Sequence, residues 1–416
     1  MPNDPTTGDR QLDVVGLFAG VGGLESGLSG PGARHRTRWL CESDPAATAV
    51  LKSHFAEGGV QFHGDVRTLG ERPWHRRCDL LVAGFPCQDF SPAGTTQGLA
   101  GHRSSIVSEV FGLLKKHRVP IVLIENVPFM LKLNRGAAMN YLAERFESLG
   151  YDWAYRVVDT RAFGLPQRRR RFFLIAAREE DPRPILFSDD RPAITVEREW
   201  SPGIPSGFYW TEGNRGLGWV VDGVPTLKGG SGLGIPSPPA VWTRGDEIRT
   251  PTLEDAEALQ GLPRGWTSPA GQLKGNRANV RWRLVGNAVT RPVANWVGRR
   301  LASPPSSAAW QKRISRPLEG TWPDAAFSQG GERFEIDVSP WPASRRLRSL
   351  NEFLSEDAPW LSLRATRGFR GRLERSSLRG FPRPDLLQAL REHEKRMEKP
   401  RAWAQGLDAT RREPND

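Results

Sequence analysis

Over the first 178 residues, short apolar runs alternate with stretches of helical spacing, and few architectures tolerate that alternation. Runs at 12–18, 36–41, 79–85, 121–125, 154–158 and 172–177 predict strands, and 23–30, 45–55, 104–117 and 137–149 carry helical periodicity. The expected fold class is α/β: a parallel, doubly wound, Rossmann-like sheet with helices on both faces. In such a sheet, residues that follow the strands line one edge. Three features distant in sequence therefore meet there: a glycine turn after 12–18, Cys87 after 79–85, and Glu125 closing 121–125.

The glycine turn is Phe18-Ala19-Gly20-Val21-Gly22-Gly23, and Leu24 opens a helical pattern behind it. Missing side chains let a ligand approach the backbone, as in mononucleotide-binding units. Glu42 ends the next apolar stretch, where such folds hold a ribose hydroxyl, and Val60-Gln61-Phe62-His63-Gly64-Asp65-Val66 supplies a second carboxylate. The turn lacks the Lys-Ser/Thr ending of a phosphate loop, which argues against ATP chemistry. A nicotinamide-dependent oxidoreductase fits the turn equally well and leaves Cys87 unexplained.

Cys87 is one of three cysteines, and it alone sits on a tight turn, Gly84-Phe85-Pro86-Cys87-Gln88-Asp89-Phe90-Ser91. Backbone N–H dipoles at a strand-to-helix junction favour the thiolate. By itself the residue could equally be an inert core cysteine. Three scattered cysteines do not make a disulfide framework, and no Cys/His spacing suits zinc, so no metal and a cytoplasmic location are expected. Apolar runs stop short of a membrane span, and no signal peptide is evident.

The formal net charge is +12, which suits a polyanionic partner whose counterions are released on binding. From about 180 to 248, Pro and Gly crowd in and aromatics come in bursts such as Gly207-Phe208-Tyr209-Trp210. A smaller, irregular β-rich domain is expected there. Residues 251–261 then return to a capped helix ending in glycine and proline. Residues 303–330 read as a linker or a loose wrap, 345–354 and 384–390 as helices of a small C-terminal helical lobe, and the polar tail from about 400 as disordered. The resulting division is 1–178, 179–248, a return segment 249–302, and a C-terminal extension 303–416.

Together with Glu125-Asn126-Val127, Gln167-Arg168-Arg169-Arg170-Arg171 and Gly286-Asn287-Ala288-Val289, the glycine turn and the Pro86-Cys87-Gln88 turn stand in a fixed order. In that order they resemble the C5-cytosine-specific DNA methyltransferases of bacterial restriction–modification type, over roughly residues 12–301. The resemblance implies S-adenosyl-L-methionine as cofactor and double-stranded DNA as substrate. It also implies functional pairing with a restriction endonuclease, and the single-pocket architecture leads to the expectation of a monomer.

By motif position, Phe18 would pack on the adenine, and Ala19, Gly20, Gly22, Gly23 and Leu24 would line the methionine moiety. Glu42 would take the ribose and Asp65, with Val66, the adenine amine. Pro86, Asn287, Ala288 and Val289 would close the pocket. Cys87 would add to cytosine C6, Glu125 would supply a proton near N3, and Arg169 and Arg171 would hold the carboxylate and the base's carbonyl edge. Gln88, Ser91, Gln167, Arg168, Arg170, Thr226, Leu227 and Lys228 would face DNA, the 180–248 domain being the family's target-recognition region. Asp255 departs from the glutamate usual in the family. An RNA C5-methyltransferase, or a DNA-binding protein that keeps the fold without catalysis, would share most of these features.

Overall fold

The computed structural model describes residues 10–85, 106–192, 199–230, 237–273, 278–306, 308–311 and 313–409. The chain begins with β1 (Asp13–Leu17), α1 (Gly23–Leu28), β2 (Arg36–Cys41), α2 (Pro45–Phe55), β3 (Gln61–His63), α3 (Val66–Leu69) and β4 (Leu80–Ala83). It continues through α4 (Ile106–His117), β5 (Ile121–Asn126), α5 (Ala137–Ser148), β6 (Asp152–Asp159), β7 (Gln167–Arg168) and β8 (Arg170–Ala177). Each strand and helix expected in this region is present within a few residues. Local chemistry sets the ends: Asp44 caps α2 by accepting from Ala46 N–H at 2.8 Å, with Pro45 in the first helical position.

Alternation along the strands explains the layering. Val15, Leu17, Leu81 and Ala83 join one core with Phe111 of α4 and Phe146 of α5. Val14, Leu80 and Val82 point the other way, to Leu24 and Leu28 of α1. Helices on both faces bury this sheet completely, as the sequence suggests.

The direction of the strands differs from expectation in half of the sheet. Strands β3, β2, β1, β4 and β5 are parallel neighbours, but β8 runs antiparallel to β5 and β6 antiparallel to β8. The sheet is mixed because β6 and β8 are joined without a helical crossover, and antiparallel pairing needs none.

After α6 (Arg183–Phe187) come β9 (Ser206–Phe208), β10 (Val220–Val221), β11 (Val224–Pro225), β12 (Ala240–Arg244) and β13 (Glu247–Arg249). Strands β10, β9, β12 and β13 form a separate four-stranded sheet, while β11 pairs with β7. The return segment holds α7 (Leu253–Leu259), α8 (Ser268–Gly271), α9 (Ala278–Asn287) and α10 (Arg291–Ala302). Asp255 closes a capping box with Thr252 and also accepts from Arg264 and Ser355. The shorter carboxylate is thus fully used at the helix start.

Beyond α11 (Ala308–Gln311) lie β14 (Ser315–Pro317), β15 (Ala325–Gln329), β16 (Glu332–Ile336), α12 (Leu363–Arg375) and α13 (Arg383–Ala409). The 303–330 segment is not a plain linker. Strand β15 pairs antiparallel with β6 and extends the main sheet to ten strands, with β16 and β14 beyond it. Covering β6 satisfies backbone groups that would otherwise form a bare edge. Only a single 3-10 turn, Leu350–Glu352, appears where a helix was expected over 345–354, and α13 runs on to Ala409 where the tail was expected to be disordered.

Candidate active site

Glu125 is buried near the end of β5, opposite Phe173 of β8. Arg171, at the start of β8, brings Nε to 3.3 Å from Glu125 Oε1, with both side chains almost wholly covered. Burial raises the Glu125 carboxyl pKa, and the Arg171 and Arg169 charges only partly pull it back. Asn126 donates from Nδ2 to the Phe85 carbonyl at 3.1 Å, fastening the end of β4 beside Glu125. A Cβ added at Gly84 would stand 3.7 Å from Glu125 Oε2. Pro86, Cys87, Gln88 and Ser91 follow immediately in sequence and lie outside the described residues. Cys41 and Cys78 are core thiols: burial pushes Cys41 up to about 12 and Cys78 higher still.

Arg169 takes a different position from the one expected of a group at the substrate. It is fully buried, and its guanidinium donates to the carbonyls of Leu227 (3.2 Å), Gly286 (3.2 Å) and Ala288 (2.7 Å). It holds together the strand bearing Arg171, the segment entering the smaller sheet, and the end of α9. Gln167, expected to face DNA, is also buried. Its Nε2 donates to Leu259 O at 2.9 Å and its Oε1 accepts from Leu227 N–H at 3.1 Å. Gln260 and Thr290 complete this network, and none of it reaches the surface.

The glycine turn lies at the end of β1. Gly20 N–H donates to Glu42 Oε2 at 2.8 Å, and the other Glu42 oxygen accepts from Asp44 N–H at 2.8 Å. Phe18 takes a positive φ of 54°, a conformation disfavoured for a bulky residue, and meets Phe85 edge-on at 6.4 Å. At Gly20 a Cβ would meet no atom within 4 Å among the described residues. Gly23 is the opposite: its Cβ would come 2.7 Å from the Val289 carbonyl oxygen. The 286–289 segment therefore packs against the glycine turn through Val289, with Asn287 exposed and Ala288 and Val289 buried. Leu24 and Val66 are core residues, and both Asp65 oxygens accept from the Arg67 side chain. A glycine turn, an adjacent half-buried carboxylate and an aromatic ring fit an adenosyl ligand.

Of the remaining expected DNA-facing residues, Arg168, Arg170 and Lys228 are exposed. Leu227 is buried in the core, and the partly covered Thr226 donates its hydroxyl to Arg168 O at 2.7 Å. Sequence reading passed over Tyr209, which lies in the aromatic burst at 207–210. Its hydroxyl donates to Thr226 O at 2.6 Å, and Lys228 Nζ stands 3.8 Å above its ring. Its pKa is pushed up to about 12, chiefly by burial. Among the described residues no group of three or more His, Cys, Asp or Glu is placed to hold a metal, and no helix is long and apolar enough to cross a membrane.

The comparisons agree with this geometry. The profile of the family described as C-5 cytosine-specific DNA methylase matches residues 12–200. The chain is 45% identical over 378 residues to the type II methyltransferase M2.BsuMI of Bacillus subtilis (strain 168), covering 88% of this chain and 94% of that protein. It is 34% identical over 165 residues to M.BsuFI of Bacillus subtilis, covering 40% and 39% of the two chains. In fold it is similar to the Dnmt2 methyltransferase of S. pombe, with a TM-score of 0.52 at 18% identity, over 70% of this chain and 98% of that one. A buried carboxylate paired with an arginine at the strand edge, a glycine turn at the end of β1, and 45% identity along most of the chain lead to one conclusion: this protein belongs to the C-5 cytosine-specific DNA methylase family.

Proposed function

We propose that the protein methylates C5 of a cytosine in a short duplex DNA sequence, as the modification partner of a restriction endonuclease, and that it acts as a monomer. The observation that carries this reading is the buried Glu125–Arg171 pair beside the chain end that leads into Cys87. Cytosine C5 is a weak nucleophile. A thiolate from Cys87 adding at C6 breaks the ring's aromaticity and makes C5 an enamine-like carbon. The addition puts charge on the ring, which a proton held near N3 offsets. Burial favours the protonated form of this carboxyl, and Arg171 holds the group in place.

S-adenosyl-L-methionine, when bound at the 18–23 turn, supplies the electrophilic methyl. Phe18, Glu42 and the backbone of the turn would hold it. The Glu125 carboxyl is too deeply buried to meet a base stacked in a duplex. The target is therefore extrahelical, at an unstacking cost of about a few kcal/mol. Exposed Arg168 and Arg170 would meet phosphates, and Lys228 the substrate strand.

The test is transfer of labelled methyl groups to unmethylated duplex DNA by the wild type, Cys87→Ser and Glu125→Gln, followed by mapping of 5-methylcytosine. Incorporation at one short motif that both substitutions abolish supports the reading. Transfer to RNA but not DNA would replace DNA as the substrate, and DNA binding without any transfer would leave a binding protein.

A further inference from the structure

The C-terminal helices are the outer layer of the smaller sheet. Phe208, Ala240, Trp242 and Ile248 pack against Phe369 and Leu373 of α12 and Leu386 and Leu390 of α13. The opposite face of the same sheet, through Val241, packs on Leu227, Ala256 and Val285. Neither face of the sheet is free. Whatever this domain presents to DNA must come from loops at the sheet ends or from the covering helices.

Helix α12 has the surface for that role. Residues 364, 368, 371 and 375 fall on one stripe, directly away from buried Phe369 and Leu373. That stripe reads Arg364, Gly368, Gly371, Arg375, and Arg379 follows just beyond the helix; all three arginines are exposed. Arg367 and Arg370 pair with glutamates of α13, and Arg372 donates to the carbonyls of Trp210 and Glu212. Among the described residues Arg364, Arg375 and Arg379 have no ion-pair partner, and no carboxylate sits on the stripe. An ordinary solvated helix face alternates charges and avoids glycine, the least favourable interior residue after proline. Among the described residues the only atoms within 4 Å of a Cβ built at these glycines are the tips of Arg372 and Arg375.

The helix is also tied to the active site. The two carbonyls that Arg372 holds belong to the loop that starts at Tyr209, and Gly213 of that loop lies against Phe369. Arg215 is exposed on the same loop. Arg215 lies six positions along the chain from Tyr209, a reach of at most about 20 Å, less than one turn of duplex.

We infer that α12, with Arg364, Arg375 and Arg379, docks on the DNA phosphate backbone flanking the target, so that the C-terminal extension completes the DNA-binding groove. The inference rests on the DNA-methylating reading above. Charge complementarity carries it, and the bare glycines let a backbone approach the helix closely. Phosphate binding of this kind adds affinity and register but no sequence choice.

The experiment compares wild type with a triple variant, Arg364→Ala, Arg375→Ala and Arg379→Ala, in the full-length protein. Duplex DNA with and without the methylation site is titrated at several salt concentrations. The logarithm of affinity should fall less steeply with the logarithm of salt, by about one unit of slope for each phosphate no longer neutralised, up to about three. Affinity for both duplexes should drop at least about tenfold at low salt, with KM for DNA raised and kcat at saturating DNA unchanged. Arg→Lys at the three positions should restore most of the slope. An unchanged slope in a variant with wild-type thermal stability would overturn the inference, as would a wild-type dimer that the variant loses. If the wild type itself bound no DNA, the DNA-methylating reading would fail instead.

Discussion

Arg171 reaches Glu125 at 3.3 Å from the neighbouring antiparallel strand, so the antiparallel turn of the sheet creates the pair. Removing Arg171 leaves Glu125 buried without its main counter-charge. Arg171→Ala should lower kcat by about 100-fold or more, in the range of a lost general-acid or electrostatic group. In the proposed mechanism Glu125 acts protonated, so activity should fall as pH rises through its raised pKa. Without Arg171 that pKa rises further, and the alkaline limb of the kcat profile should move to higher pH. A limb that stays in place would separate Glu125 from the titration.

Glu25 provides a test by stability rather than activity. It is fully buried at the start of α1, one carboxylate oxygen has no hydrogen-bond partner among the described residues, and burial lifts its pKa to about 7. Between its ordinary pKa and 7 the folded state holds a proton that the unfolded chain has released. Stability should therefore decline as pH rises from about 4.5 to above 7, by about 3 kcal/mol in all from this group. Glu25→Gln should flatten that decline in denaturant titrations at pH 5 and pH 8.

Arg169→Ala should damage folding as much as catalysis. It strands the carbonyls of Leu227, Gly286 and Ala288 in a buried space. The expected loss is about 3–5 kcal/mol. Arg169→Lys should recover little, because one ammonium cannot span three separated carbonyls in the fork geometry. Equilibrium unfolding measures both.

Phe369→Ala removes a fully buried ring stacked at 5.0 Å on Phe208. A loss of about 3–5 kcal/mol is expected, with DNA affinity weakened because α12 loosens from the smaller sheet. A fragment ending at residue 302 should fare worse, since it uncovers the β6 edge that β15 pairs with and should be insoluble.

Much of the fold was legible in the sequence because a buried parallel sheet leaves dense apolar runs, as at 79–85 and 121–125. Strand direction was not legible: apolar content locates β6 and β8, but it does not say which way they run. Strand β15, Ala325–Gln329, is short and sits among Pro, Ser and Gly, so it reads as linker. At the site, motif spacing located Glu125 and Arg171. It could not tell which of Gln167, Arg168 and Arg169 point inward, because that depends on segments folded over them from 227 and 286–288. Tyr209 carries no motif, and its role appears only once Thr226 and Lys228 are packed beside it.

The last hundred residues are threaded through both bodies of the molecule, first as strands of the large sheet and then as a cover for the small one. Exchanging the 200–250 stretch of the gene alone should therefore fail to give a well-packed hybrid domain. The incoming sheet would arrive without the apolar partners at 361–390 that match it. Recombination between relatives must move two separated stretches together, or the recipient must first repair the mismatch in its C-terminal helices.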